Sequence, residues 1–231
     1  MTRSVLIIED EPDIVEVIST HLEDEDFKVS HDADGVSGLV NALNNEWDLL
    51  LIDRKLPRLD GIEICQKVRE FNSQIPIILV SAKCSESERI EGLNVGADDY
   101  ISKPFSVLEM VARINAVFRR VDAPKYNQHQ DRIVVCDIVL DKRTHEVVVS
   151  GKVISLTPRE FDLLTCFTEA PGRVFKRQDL LETVWGYNHS GYLHTVNTHI
   201  NRLRCKLEKD PANPAYIKTV WGVGYKFQCP G

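Results

Sequence analysis

The chain has 231 residues, 43% of them apolar and 27% charged, with a formal net charge of −7. No run reaches the roughly 18 apolar residues of a membrane span, the N-terminal apolar run Ser4–Ile8 is too short for a signal peptide, and six cysteines scattered without a C-x-x-C pair argue against a zinc site or a disulfide framework. A reducing cytoplasm is the expected location. The charge is unevenly spread: residues 1–121 carry 13 Lys and Arg against 23 Asp and Glu, and residues 122–231 carry 15 against 12. An acidic half that holds a cation and a mildly basic half that meets a polyanion would produce this split, although a balance of +3 alone says little about nucleic acid.

In the first half, strands and helices alternate. Ser4–Ile8 reads as a strand, and Pro12–Asp24 has the spacing of a helix through Ile14, Val15, Val17, Ile18 and Leu22. Lys28–Ser30 is a short strand, Val36–Leu43 a helix, and Trp47–Asp53 an apolar strand that stops on a carboxylate. Ile62–Phe71 is helical, Ile75–Ser81 is a second buried strand, and Ser85–Val95 is a helix opened by the capping box Ser85-x-x-Glu88. Asp99–Ile101 is a brief strand, and Ser106–Val121 a last helix with the box Ser106-x-x-Glu109. Five βα units of this kind predict an α/β domain with a five-stranded, parallel, doubly wound sheet over residues 1–121.

Such a sheet brings Glu9 and Asp10, Asp53, Ser81 and Lys103 to one carboxyl edge, where open α/β sheets place their ligands. Adjacent carboxylates repel, and a divalent cation held by oxygens resolves the conflict. Mg²⁺ suits a site with few carboxylates and several waters. One carboxylate then serves as nucleophile toward a phosphoryl group, whose oxygens the metal, a lysine ammonium and a hydroxyl neutralise. Taken singly, each acid reads better as a solvated helix-start residue; gathered at one edge, they do not.

The residues Glu9-Asp10, Asp53-x-x-x-Pro57-x-x-x-Gly61, Ser81-Ala82 and Gly96–Phe105 resemble the receiver domain of two-component response regulators, across essentially all of residues 3–121. The resemblance implies that Asp53 accepts a phosphoryl group from the phosphohistidine of a sensor histidine kinase. It implies Mg²⁺ on Glu9, Asp10, Asp53 and the backbone carbonyl of Lys55, phosphoryl oxygens on Ser81 and Lys103, Tyr100 as an aromatic switch that turns inward when Ser81 moves, and a cis Lys103–Pro104 bond. It also implies a dimer face of Arg89, Asp98, Asp99, Glu109, Arg113 and Arg120, although Glu109 and Arg113 stand i,i+4 and can pair within one helix. Cys84 lies beside Lys83 at a helix start, where a thiol pKa falls. It is a candidate redox site or an incidental loop thiol.

Residues 122–131 are polar, lose the helical period and read as a linker. From there to residue 231, Arg132–Leu140, Thr144–Val149 and Lys152–Ser155 read as antiparallel strands. Thr157-Pro158-Arg159-Glu160 caps a helix that carries Phe161, Leu164 and Phe167. Gln178–Trp185 is a second helix ended by Gly186, and His194–Leu207 a third, with the apolar stripe Val196, Ile200, Leu203 and Leu207. Its other face offers His194, Thr195, Asn197, Thr198, His199, Asn201, Arg202 and Arg204, suited either to a major groove or to solvent. Tyr216–Phe227 reads as a hairpin turning at Trp221–Gly224.

Three helices and a hairpin, with Leu156–Phe161, Val184–Gly186, Thr195-Val196, Arg202–Arg204 and Thr219–Tyr225, resemble the effector domain of the OmpR/PhoB family, an α+β winged helix-turn-helix. The resemblance implies double-stranded promoter DNA as ligand, a wing that reaches the minor groove, and RNA polymerase contact by the Trp185–Leu193 loop. Trp221 stands where many relatives carry Arg, so it would pack on sugar or on the protein itself. The whole reading is a DNA-binding transcriptional regulator that dimerises on phosphorylation and binds tandem half-sites. It is not an enzyme beyond slow Mg²⁺-dependent autodephosphorylation, and it is not a membrane protein. The alternatives are a phosphatase with an aspartyl-phosphate intermediate, against which Asp53-Arg54-Lys55 lacks a second acid, and a DNA-binding protein without phosphorylation control.

Overall fold

The computed structural model describes residues 2–72, 74–82, 86–121, 131–186 and 193–230. The chain separates into two compact units, Met1–Val117 and Phe118–Gly231. Cys84 with Lys83 and Ser85, residues 122–130 of the expected linker, and residues 187–192 of the expected polymerase loop lie outside the described residues.

The first unit runs β1 (Ser4–Ile8), α1 (Pro12–Asp24), β2 (Lys28–Asp32), α2 (Gly35–Asn44), β3 (Leu49–Asp53), α3 (Gly61–Phe71), β4 (Ile77–Ala82), α4 (Glu86–Asn94), β5 (Asp99–Lys103) and α5 (Val107–Val121). All five strands are parallel, in the order β2-β1-β3-β4-β5. The five expected βα units are all present. Every residue of β3 is buried, which explains its unbroken aliphatic run: both faces of the strand are covered. The direction of winding reverses between β1 and β3, and the cleft at their carboxyl ends opens there.

Register brings the expected edge together. Ile8 pairs with Ile52, Asp53 with Val80, Ser81 with Ser102 and Ala82 with Lys103. The Lys103–Pro104 bond is cis. After β3 the chain folds tightly over the strand end: Gly61 N–H donates to the Arg54 carbonyl at 2.9 Å, and the Asp60 side chain caps α3 by accepting from Ile62 N–H at 2.9 Å. A side chain at Gly61 has no room, because its Cβ would sit 2.2 Å from the Asp53 carbonyl oxygen.

The boundary between the units falls within α5, and beyond it the second unit has an antiparallel sheet of β6 (Arg132–Val135), β7 (Ile138–Asp141), β8 (Glu146–Val149) and β9 (Lys152–Ile154). It continues with α6 (Pro158–Glu169), β10 (Val174–Lys176), α7 (Arg177–Trp185), α8 (Leu193–Leu207), β11 (Ile217–Val220) and β12 (Gly224–Phe227). The last strands form a three-stranded sheet in the order β10-β12-β11.

Three features differ from the sequence reading. Arg132–Leu140 is two strands, because the chain turns at Cys136–Asp137 with Cys136 at φ 56°. The Asp137 carboxylate accepts from the Ser150 hydroxyl and from Tyr216 Oη, the latter at 2.6 Å. These partners are remote in sequence, so the apolar run conceals the turn. The hairpin gains β10, a three-residue strand with one inward residue, Phe175, too short for a period to register. Finally, Cys136 and Cys229 form a disulfide across 93 residues, with Cα atoms 5.6 Å apart. The expectation of unpaired thiols is therefore wrong for these two, since scattered spacing does not report which loops the fold brings together.

The stripe of α8 (Val196, Ile200, Leu203 and Leu207) is buried against Phe161, Leu164 and Phe167 of α6 and Leu180, Leu181, Val184 and Trp185 of α7. Glu160 is fully buried at the start of α6. It accepts from Thr157 N–H at 2.9 Å, one arm of the expected capping box, and pairs with Arg202 at 2.8 Å and Lys206 at 2.6 Å.

The close approach at Gly61 makes a direct prediction. Gly61→Ala forces a Cβ into the backbone of β3 and lowers the stability of the N-terminal unit by roughly 1–3 kcal/mol. Urea denaturation measures this, and an unchanged midpoint would contradict the packing described.

Candidate functional site

The acidic edge is built around one ammonium group. Lys103 Nζ lies 2.9 Å from Asp53 Oδ1, 2.9 Å from Glu9 Oε2 and 2.9 Å from Glu11 Oε1. Glu9 and Asp53 are buried, at 3% and 4% exposure, while Asp10 and Glu11 reach solvent. Lys55 folds back so that its N–H donates to Asp53 Oδ2 at 2.5 Å. Carboxylate oxygens of Glu9, Asp10 and Asp53 all fall within 4.8 Å of one another. Ser81 is buried on the neighbouring strand one position past the Asp53–Val80 pair, and its hydroxyl donates to the Ala82 carbonyl at 3.2 Å.

Three carboxylates therefore meet one lysine, and a fourth, Asp10, stands beside Asp53 and Glu9. Burial pushes the Asp53 carboxyl above its ordinary range; Lys103 pulls it back and the nearby Asp10 pushes it further up. Glu9 behaves alike, raised by burial against the pull of Lys103 and raised again by Asp53. Burial works against a charged Lys103, but Asp53, Glu9 and Glu11 outweigh it and hold its pKa above the usual lysine value. An all-oxygen donor set with surplus negative charge fits a hard divalent cation. Beside Lys103, residues Ile14, Val17, Ala82, Pro104 and Phe105 line an apolar groove of ≈ 550 Å³.

One residue of this neighbourhood escaped the sequence reading. Arg54, directly after Asp53, is 9% exposed. Its guanidinium pairs with Glu91 at 2.8 Å and Glu88 at 3.6 Å on α4, and it also contacts the side chain of Tyr100. The signal was its adjacency to Asp53, with two acids i,i+3 on the helix ahead. Tyr100 is already inward, at 1% exposure.

Four of the six expected dimer-face charges, Asp98, Asp99, Glu109 and Arg113, are engaged within the chain. Asp98 is buried and turned toward Arg69 at 2.7 Å and Ile77 N–H at 2.9 Å, which removes it from the α4–β5–α5 surface. Arg113 pairs with Asp99 at 3.1 Å and with Glu109 at 2.6 Å, the within-helix pairing that the i,i+4 spacing allowed. Arg89 is half-buried on α4, and the Arg120 side chain lies outside the described residues.

The polar face of α8 also divides. Thr195, Thr198 and His199 are buried, with the His199 ring against Trp185 at 4.9 Å. Arg204 is buried and donates to the Ile217 carbonyl through Nε at 3.1 Å and Nη2 at 2.8 Å, joining α8 to β11. Arg202 is held by Glu160. These five side chains serve the inside of the domain, contrary to the open face the helical period suggested. His194 and Asn197 are half-buried, and Asn197 Oδ1 accepts from Arg177 at 3.0 Å and Tyr225 Oη at 2.8 Å. Asn201 is exposed, and Trp221 stands 90% exposed at the hairpin tip.

A doubly wound sheet with an acidic, lysine-bridged carboxyl edge, followed by three helices and a small β-hairpin sheet, defines a receiver joined to a winged helix-turn-helix. Comparison with known proteins agrees. Residues 5–115 match the response regulator receiver domain, and residues 151–227 match the C-terminal domain of transcriptional regulatory proteins. The transcriptional regulatory protein YclJ of Bacillus subtilis is 43% identical over 225 residues, covering 96% of this chain and 98% of the relative. SrrA of Staphylococcus aureus is 40% identical over 233 residues, covering 99% and 96%. Among solved structures, a mutant form of RitR superposes with a TM-score of 0.78 at 29% identity over 98% of this chain and 99% of that one. DrrB, an OmpR/PhoB homologue from Thermotoga maritima, superposes with a TM-score of 0.53 at 31% identity over 99% and 100%. The chain belongs to the OmpR/PhoB family of two-component response regulators, which act on DNA.

The buried carboxylates predict a pH response. Their folded-state pKa values are raised, so the folded chain binds more protons than the unfolded one between the ordinary carboxylate pKa near ~4 and the raised values. Stability therefore falls as pH rises through that window. In chelator, thermal denaturation of the N-terminal unit should occur at higher temperature in mild acid than at neutrality, and Asp53→Asn should flatten the slope. Equal slopes in the two proteins would contradict the electrostatics.

Proposed function

We propose that this regulator is switched by phosphorylation of Asp53, taken from a phosphohistidine on a sensor histidine kinase. The observation that carries the reading is the meeting of Asp53, Glu9, Asp10 and Lys103 at one sheet edge. Asp53 attacks phosphorus, its new O–P bond forming as the kinase P–N bond breaks. Lys103 exchanges a carboxylate partner for a phosphoryl oxygen, and Ser81 donates its hydroxyl to another. Mg²⁺, held by Glu9, Asp10, Asp53 and the Lys55 carbonyl, supplies further neutralisation of the phosphoryl oxygens when bound. The apolar groove beside Lys103 gives the kinase a surface of approach. Because Arg54 ties the residue after Asp53 to α4 and Tyr100, a change at the acceptor reaches the α4–β5–α5 face.

That face then pairs two receivers through Arg89, Asp99, Glu109, Arg113 and Arg120, and two winged helices meet tandem half-sites on promoter DNA. Pairing raises the local concentration of the second helix without new base contacts. Asn201 with Asn197 and His194 faces bases, Trp221 packs on the minor-groove sugars, and the loop after α7 meets RNA polymerase. The chain is no enzyme in this reading beyond slow Mg²⁺-dependent hydrolysis of its own phosphoaspartate. A cytoplasmic location follows, since both kinase and promoter must be reached; among the described residues no helix is long and apolar enough to cross a membrane.

Two measurements check this. With an acyl phosphate donor and Mg²⁺, intact mass spectrometry should find one phosphoryl group on wild type and none on Asp53→Asn. Lys103→Ala should be phosphorylated about 100-fold more slowly or worse. Phosphorylation of Asp53→Asn at the wild-type rate would overturn the assignment. On DNA selected by the wild type, Asn201→Ala should weaken binding about tenfold or more without lowering thermal stability, and unchanged affinity would remove Asn201 from the interface.

A further inference from the structure

We infer that Cys136 and Cys229 are a thiol–disulfide modification site of the DNA-binding unit, closed by low-molecular-weight disulfides and opened by small thiols, whose state sets the stability of that unit. The inference goes beyond phosphorylation and does not depend on it.

The two cysteines are brought together by contacts that do not need the sulfur–sulfur bond. Cys136 opens the two-residue turn between β6 and β7. That turn is fixed through Asp137, whose carbonyl accepts from Ser150 N–H at 2.9 Å and whose carboxylate accepts from the Ser150 hydroxyl and from Tyr216 Oη at 2.6 Å. Tyr216 in turn positions the other cysteine. Its carbonyl accepts from Gln228 N–H at 2.9 Å, and its ring stacks on Phe227 at 6.0 Å. Cys229 is the next residue. The resulting Cα separation, 5.6 Å, is one a disulfide spans. Two thiols held this way face each other at high effective concentration, so an intramolecular bond outcompetes separate adducts.

Both cysteines are exposed, within reach of small thiols and disulfides. A chain that acts on DNA works where small thiols are abundant, and there disulfides are exchanged rather than permanent. The chemistry balances without a further oxidant. One cysteine thiolate attacks a small disulfide, forming a mixed disulfide and releasing one small thiolate. The second cysteine thiolate attacks the protein-bound sulfur and releases the other. The two protein thiol protons leave on the two released thiols.

The closed bond joins positions 93 residues apart, and the loop between them contains all three helices and the wing. It therefore restricts the unfolded chain strongly, while Trp221 stays at the opposite end of β12, clear of the bond.

The test uses the full chain incubated with oxidised or reduced glutathione, then alkylated. Peptide mapping without reductant should find Cys136 linked to Cys229 in the oxidised sample and both alkylated in the reduced one. Calorimetry should place the transition of the C-terminal unit at least about 5 °C higher in the oxidised sample. Cys229→Ser, and Cys136→Ser independently, should show one transition temperature under both conditions. Separate glutathione adducts on the two cysteines, cross-links between chains in place of the internal one, or an oxidised wild type melting with the reduced one would each overturn the inference. Reduced wild type blocked by alkylation repeats the comparison without any substitution.

Discussion

The receiver depends on the Lys103 ammonium standing between three carboxylates. Glu9 follows β1, Asp53 ends β3 and Lys103 ends β5, so the contact exists only when strands remote in sequence lie in the observed order. Burying Glu9 and Asp53 costs free energy unless their charge is met, and a single lysine does not meet it fully. That deficit is the chemical content of the site, and it suits the donor set to a hard cation. Its neighbour Arg54 ties the same strand end to Glu91 and Glu88 of α4.

A related logic operates in the second unit, with the signs exchanged. Glu160 is a fully buried carboxylate, and Arg202 and Lys206 of α8 turn toward it. Arg204 is drawn to the Ile217 carbonyl. Three of the basic groups on the third helix therefore fix its angle against α6 and β11. Asn201 on the same helix is exposed. Such a helix owes its placement to buried charge, so substitutions at its arginines would perturb the folding of the domain.

Much of the receiver was legible in the sequence because its signals are local. Trp47–Asp53 and Ile75–Ser81 are apolar runs that only a doubly covered strand explains, and each ends on a polar residue at the same edge. The α8 stripe was legible for the same reason: burial on one side of a helix leaves a period. The rest was illegible because it is written across distance. Nothing near Cys136 announces Tyr216, so neither the turn nor the disulfide could be read. Asp98 stands beside Asp99 in sequence, yet Asp98 precedes β5 and pairs with Arg69, while Asp99 opens the strand and pairs with Arg113. Thr195 and His199 are polar residues on the margin of an apolar stripe, yet both are buried, His199 with its ring against Trp185.

The most direct measurement is light scattering after size-exclusion chromatography in Mg²⁺, with and without beryllofluoride, which places a phosphoryl-like group on a reactive carboxylate. Wild type should shift from monomer to dimer on addition of beryllofluoride, and Asp53→Ala should stay monomeric in both conditions. A wild type that ignores beryllofluoride, or an Asp53→Ala variant that dimerises with it, would contradict the claim that Asp53 is the point from which the chain is switched.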